Sequence, residues 1–366
     1  MSPTTIPGNL ILQSPTASKL ILVNDQRNPA GDAQITYGIT STGGVFNLRS
    51  TGTVDYEVEW GDGTVERSTS NVLAHTYAAG SYVLKIRTAQ QYRPYFDNST
   101  DEDQITSVAL VSDLNVGTTL ARAWYGANNM TDFNAAFGSI TGVISFDRTW
   151  RDSSGLTSFP LIDTSSGNNF QQAWYNCTGL TSFPLINTSS GTIFSNTWNG
   201  CNQLTSFPLI DTSSATNFSS AWQNCTGLTT FPLIDTSSGN NFSRTWYGCS
   251  GLTSFPALNA LSGNNFYAAW YYCHNLTDFP ANFFDSWTAT PVNGCFAASW
   301  GLCSSLTATS VENILNSLDT SGQSAPASDV DITIDYNVAS GTPNISTAVT
   351  NLKSRGWTIT LNGVAQ

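Results

Sequence analysis

The sequence predicts an α+β chain: an N-terminal β-sandwich, then a solenoid of about 24-residue coils, closed by a small α/β C-terminal cap. Three observations predict it. A Gly-Leu-Thr-Ser-Phe-Pro-Leu-Ile-Asp-Thr-Ser-Ser string recurs almost verbatim through the middle of the chain. Residues 53–87 alternate apolar and polar positions between Gly/Asp turns, the period of antiparallel strands. After residue 306 the pattern returns to a capped amphipathic helix and short strands. The expected units are an extended arm over 1–17, the sandwich over 18–90, the solenoid over 91–306 and the cap over 307–366.

Composition limits the function classes. Only 10% of the 366 residues are charged, against about 25% in an ordinary domain. The chain instead carries 45 Ser, 47 Thr and 33 Asn, which wet its surface without charge. With 11 Trp, 19 Phe and 13 Tyr it is too aromatic to be disordered. Net charge is −12 with 13 Lys plus Arg, and Arg244 is the one base between 152 and 352. No basic footprint exists for a phosphate backbone, so neither nucleic acid nor an anionic membrane is an expected partner. No run of 18 apolar residues occurs, and Met1–Pro7 lacks a basic segment followed by an apolar one, so neither a spanning helix nor a secretory signal is expected.

Taken in order, residues 1–17 are rich in Pro, Ser and Thr and suggest an arm ordered only by a neighbour. Early strands are expected at 19–23 and 45–48. Tyr56, Val58 and Trp60 then alternate into the Gly61-Asp62-Gly63-Thr64 turn, followed by His75-Thr76-Tyr77 and Gly80-Ser81-Tyr82-Val83. The set W-G-D-G-T…H-T-Y…G-x-Y resembles the polycystic-kidney-disease (PKD) family, which implies an immunoglobulin-like sandwich. His75 is expected to be a turn or core residue of it.

The repeats follow. Their leading Leu falls at 156, 180, 204, 228, 252 and 276, with Phe at +3, Pro at +4, Phe at +14, Trp at +18 and Cys at +21. The first clean copy is Leu156, Phe159, Pro160, Phe170, Trp174 and Cys177. The later copies carry the pairs Trp198 and Cys201, Trp222 and Cys225, Trp246 and Cys249, and Trp270 and Cys273; Trp300 and Cys303 resume the pattern after a six-residue insertion. Leu156-x-x-Phe159-x-Leu161 has the spacing of a leucine-rich-repeat strand. Phe170, Ala173, Trp174 and Cys177 at i, i+3, i+4 and i+7 share one face of an expected short helix. Units this short bury their apolar face only against each other, so ladders of identical side chains are expected. Leu156-Thr157-Ser158-Phe159, Asp163-Thr164-Ser165 and Trp174-Tyr175-Asn176-Cys177 resemble the BspA-type leucine-rich repeats over about 105–306, with Trp in place of the family's Phe or Met and Pro160 inside the strand motif. The seven cysteines are expected to be small buried side chains, neither disulfides nor zinc ligands, since their number is odd and no C-x-x-C occurs.

In the cap, a helix is expected over 310–318, a strand over 331–334, a helix over 346–355 and a strand over 357–361.

Chemistry is sparse. Parallel solenoids host glycosidases, and Asp211 and Asp235 in adjacent copies have a plausible carboxylate spacing. The same ladder reads Asp163, Asn187, Asp211, Asp235 and Asn259, and Asp and Asn interchange where a side chain caps a turn. Catalysis is therefore not expected, nor a cofactor or metal. The two histidines, His75 and His274, lie in different modules. Binding is the better expectation. The Thr-Ser-Phe-Pro-Leu stretch barely varies and reads as a structural face, whereas Gln171, Gln172, Tyr175, Arg244, Tyr247, Tyr267, Tyr271 and Tyr272 stand at positions that vary between copies. Rings among amides and hydroxyls suit a sugar or a protein surface. The expectation is a non-enzymatic bacteriophage virion component, a fibre or capsid decoration, held by other virion proteins through its arm or sandwich and capable of self-association. A bacterial surface adhesin and a glycan-cleaving tailspike are the alternatives.

Overall fold

The computed structural model describes residues 33–52, 55–88, 90–96, 101–110, 115–135 and 140–366. The arm expected over 1–17 and the strand over 19–23 lie outside the described residues.

Strands β1 (Ala33–Thr51), β2 (Tyr56–Glu59), β3 (Val65–Ser68), β4 (Val72–Thr88), β5 (Arg93–Pro94), β6 (Ile105–Leu110) and β7 (Asp132–Ala135) form a single mixed sheet. Its order is β3-β2-β4-β1-β6-β7, with β5 against the end of β1. The expected two-sheet sandwich is therefore corrected to one sheet. β1 and β4 pair from Ala33↔Thr88 to Arg49↔Val72 and hold both halves in one ladder. Ile35, Tyr37, Phe46, Leu48, Leu84 and Ile86 alternate onto the buried face. What covers that face is not a second sheet but the following chain: Tyr92 meets Tyr56 edge-on at 5.4 Å, and Phe96 lies 6.5 Å from Phe46. Gly61 is required in the W-G-D-G-T turn, since its φ is +85° and a Cβ there would fall 2.6 Å from the Val83 carbonyl oxygen.

β7 pairs in parallel with β6, and its Phe133 stacks on Phe159 at 5.5 Å. The sheet thereby runs directly into the repeat region, where the second correction falls. The expected α+β solenoid, with a strand and a helix in each coil, is not what forms: among the described residues the structure is mostly sheet, with two α-helices, both after residue 307. The 24-residue units are built from turns, joined by single parallel bridges such as Asn169↔Ile193 and Ile193↔Asn217.

Both differences have a physical cause. In the segment expected as a strand, Pro160 and its equivalents lack the N–H a ladder requires, and the chain folds locally instead, Ile186 N–H donating to the Pro184 carbonyl (3.0 Å). In the segment expected as a helix, Gln172 and Asn176 sit at φ +54° and +58°, and a left-handed residue every fourth position breaks an α-helix. The N–H groups there alternate. Those of Phe170, Gln172, Trp174 and Asn176 reach the carbonyls of Ile193, Ser195, Thr197 and Asn199 in the next unit (2.7–3.0 Å). Those of Ala173, Tyr175 and Cys177 bond three residues back within their own unit (3.0–3.2 Å). Phe170, Ala173, Trp174 and Cys177 still share a buried face, because a four-residue turn period places them together as a helix would.

That face carries three files of rings. Trp174, Trp198, Trp222 and Trp246 lie 5.2–6.3 Å apart and within 11° of parallel. Phe170, Phe194 and Phe218 stack beside them at 5.3 and 6.0 Å. Phe159, Phe183 and Phe207 form the third file at 5.9 and 5.8 Å, meeting the indoles nearly at right angles, the favoured edge-to-face arrangement. Buried threonines tie the units together: Thr164, Thr188 and Thr212 donate their hydroxyls to the carbonyls of Asn187, Asp211 and Asp235 (2.5–2.6 Å).

The far end is closed by α1 (Ala308–Ser321), β8 (Asp331–Ile334), α2 (Ser346–Ser354), β9 (Thr358–Leu361) and β10 (Val364–Ala365), with the three strands in one small sheet. α1 is capped by Thr307, which accepts from the Ser310 N–H (3.2 Å). Its Ser310 and Ser317 hydroxyls accept the Phe279 and Phe284 N–H groups (3.0 and 2.7 Å). Phe284, from the inserted stretch, stands edge-on to Phe266 and Phe296, which stack on each other at 5.5 Å and carry their file into the last unit.

Candidate functional site

The varying positions sit on the turn segments at and beside the left-handed residues, and the structure gathers them into two clusters three units apart. In the first, the Arg151 guanidinium lies over the Tyr175 ring at 4.6 Å and the Tyr125 ring at 5.3 Å. Arg151 Nη1 donates to Gln172 Oε1 (2.8 Å) and its Nε to Asp152 Oδ2 (3.2 Å), and Asn176 Nδ2 donates to Asp152 Oδ1 (3.0 Å). Gln171 is half-buried alongside, its backbone N–H donated to Asn169 Oδ1 (3.0 Å). Arg151, Asp152 and Tyr125 were not among the sequence candidates. Stepping the register back 24 residues from Tyr175 would have placed Arg151 on this face.

The second cluster is more aromatic. Tyr247 stacks on Tyr271 at 5.3 Å, Tyr272 stands edge-on to Tyr271 at 4.7 Å, and His274 edge-on to Tyr272 at 5.1 Å. Arg244 covers Tyr267 at 5.1 Å. Asn224, Tyr247, Gly248, Ser250, Tyr272 and His274 line a shallow depression of about 270 Å³. His274 Nδ1 donates to the Leu302 carbonyl (2.9 Å). Partial burial and the neighbouring phenols push the Tyr271 hydroxyl above its ordinary range. Tyr272 has φ +64°. At the same position the preceding units hold Asp152, Asn176, Gly200, Asn224 and Gly248, residues that tolerate this conformation. A tyrosine there costs about 1 kcal/mol or more, as do Gln172, Arg244 and Leu302 at the left-handed positions of other units. Between the clusters, Ser195, Asn196, Ser219 and Gln223 present only small polar groups.

The carboxylate ladder behaves as turn caps. Asp211 Oδ1 accepts from the N–H and hydroxyl of Ser213 (3.0 and 2.7 Å), and Asn187 does the same with Ser189 (3.1 and 2.8 Å). The Ser213 bonds hold the Asp211 carboxyl below the usual range, and the Ser165 bonds do so for Asp163, opposite to the shift a general acid needs. His75 stacks on Trp60 at 4.4 Å and contacts Asp62 Oδ2 through Nε2 (2.8 Å). All seven cysteines are buried and free. Cys177, Cys201 and Cys225 donate to the carbonyls of Trp150, Trp174 and Trp198 (3.0–3.1 Å), and burial pushes the Cys201 and Cys249 thiols up to about 12. Among the described residues no group of three or more His, Cys, Asp or Glu is placed to hold a metal ion, and no helix is long and apolar enough to cross a membrane.

No family model, curated protein or solved structure matches this chain. The functional reading therefore rests on its own geometry, and the resemblances to the PKD and BspA-type families on their motif residues alone.

Proposed function

We propose that this protein is a non-enzymatic structural component of a bacteriophage virion, a fibre or capsid decoration, that displays its turn face to a host surface protein or glycan. The observation that carries the reading is the cluster of Tyr247, Tyr271, Tyr272 and His274 around a shallow uncharged depression. Its aromatic faces, an amide and hydroxyls are the groups that bind sugars and polar protein surfaces. A neutral Ser, Thr and Asn exterior supports a role in display, and the lowered Asp211 carboxyl supports a role without hydrolysis. Mass spectrometry of purified virions tests the location; a protein found only in bacterial cell envelopes would point to an adhesin instead. Replacing Tyr247, Tyr271 and Tyr272 with Ala is expected to abolish attachment to host cells while leaving the urea midpoint nearly unchanged. Unaltered attachment would remove the cluster from the function.

A further inference from the structure

The Thr-Ser-Phe-Pro-Leu stretch, expected as a structural face, turns its last residue outward. Leu161, Leu185, Leu209 and Leu233 are 58–62% exposed, one in each of four consecutive units. A single exposed leucine is ordinary. Four in register, each following a half-buried proline, form a continuous apolar ridge of the kind that marks a contact surface. The chain's own repeats differ more on the turn face than along the ridge. Over the same units the turn face has diverged: Tyr175 becomes Asn199, Gln223 and Tyr247. The ridge position stays Leu in all four, although exposed leucine contributes nothing to the interior.

We infer that the ridge is covered by the ridge of a second copy of this chain, the two copies running side by side in the same direction. A partner must offer an apolar strip with the same step over four units, and another copy has that spacing by construction. The polar borders set the direction. In each unit the chain crosses the ridge from exposed Thr and Ser, as at Thr157 and Ser158, to an acid or amide two residues past the Leu: Asp163, Asn187, Asp211 and Asp235 in turn. A two-fold axis along the ridge sets each copy's carboxylates against the other's hydroxyls, which can donate to them. An axis across the ridge would set Asp163 against Asp235, a like-charge pairing that interfaces avoid. Five exposed or half-buried positions in each of four units supply about 20 residues a side, the number a standard interface uses.

Sedimentation velocity of the full chain tests this. The wild-type protein is expected to dimerise within the 1–100 µM range, and Leu185→Asn with Leu209→Asn to weaken the dimer at least a hundredfold without moving the urea midpoint measured at protein concentrations below the wild-type dissociation constant. Under mild oxidation Leu161→Cys is expected to cross-link to itself. A wild-type monomer at 100 µM, or an unchanged dimer in the double variant, overturns the proposal, the first leaving the ridge to a different chain. Cross-linking of Leu161→Cys only when mixed with Leu233→Cys overturns the parallel direction.

Discussion

Trp198 is the most informative single site in the interior. It is fully buried, faces Trp174 at 5.8 Å and Trp222 at 5.2 Å, and meets Phe183 and Phe207 nearly at right angles at 5.4 and 4.8 Å. Truncating a buried Trp or Phe to Ala costs about 3–5 kcal/mol, more where the surroundings cannot close in. Here they are pinned: the Trp198 backbone N–H reaches the Ala221 carbonyl (2.8 Å), and the Trp174 backbone N–H the Thr197 carbonyl (2.9 Å). Trp198→Ala is therefore expected at the top of that range, about 5 kcal/mol. Trp198→Phe should behave very differently. The indole N–H has no hydrogen-bond partner, so the change breaks no hydrogen bond and removes a buried unsatisfied donor that itself costs about 1–3 kcal/mol. That gain offsets much of the lost ring area, and the expected net cost is under about 1.5 kcal/mol. Urea unfolding followed by both far-UV circular dichroism and fluorescence gives the values, with coincident transitions as the check on two-state behaviour. A cost above about 3 kcal/mol for Phe would mean the indole N–H is hydrogen-bonded in solution, since the retained ring would then no longer be offset by relief of an unpaired donor. A cost below about 2 kcal/mol for Ala would mean the ring files collapse freely.

Two other sites yield predictions from their hydrogen bonds. The Thr64 hydroxyl (2.6 Å) and N–H (2.9 Å) hold the Asp62 carboxyl at about 2; because that value is lowered on folding, its stabilisation is present above pH ~4 and is lost as the pH falls from ~4 to ~2. Thr64→Val should raise the Asp62 value in a carbon-13 NMR titration, and an unmoved titration would refute the assignment to Thr64. Asp211→Asn should change stability by less than about 0.5 kcal/mol, since Asn187 makes the same cap one unit earlier, whereas Asp211→Ala should cost about 1 kcal/mol, the usual value of one hydrogen bond. Equal losses for the two variants would show that charge, not capping, matters at this position.

How far the sequence could be read depends on which residues are asked. The 24-residue spacing of Trp and Phe is plain from the letters, and the rings lie one over another in files. The helical reading of Phe170, Ala173, Trp174 and Cys177 went wrong because spacings of 3 and 4 suit a run of four-residue turns as well as a helix. A better signal was present in the file Asp152, Asn176, Gly200, Asn224, Gly248, whose residue types favour positive φ. Pro160 carried a similar warning against the strand. The single sheet was harder to foresee, since β1 continues through Gly43 and Gly44, at φ +97° and +138°, where a strand would be expected to end. In the candidate site, the second cluster was readable from its tyrosines. The first was readable only in part: Gln171, Gln172 and Tyr175 stand at varying positions, but Arg151 and Asp152 belong to a degenerate copy whose register is hard to follow.

The alternating backbone bonds of the repeat region have a consequence for how this molecule changes over evolutionary time. Every unit closes its own turns with half of its donors and offers the other half forward to whatever identical backbone comes next. Excising the 24 residues from Leu180 to Gln203 would hand Phe170, Trp174 and Asn176 the same acceptors one step further on. Length is thus a quantised trait here, adjustable by unequal recombination one cassette at a time, with both ends untouched.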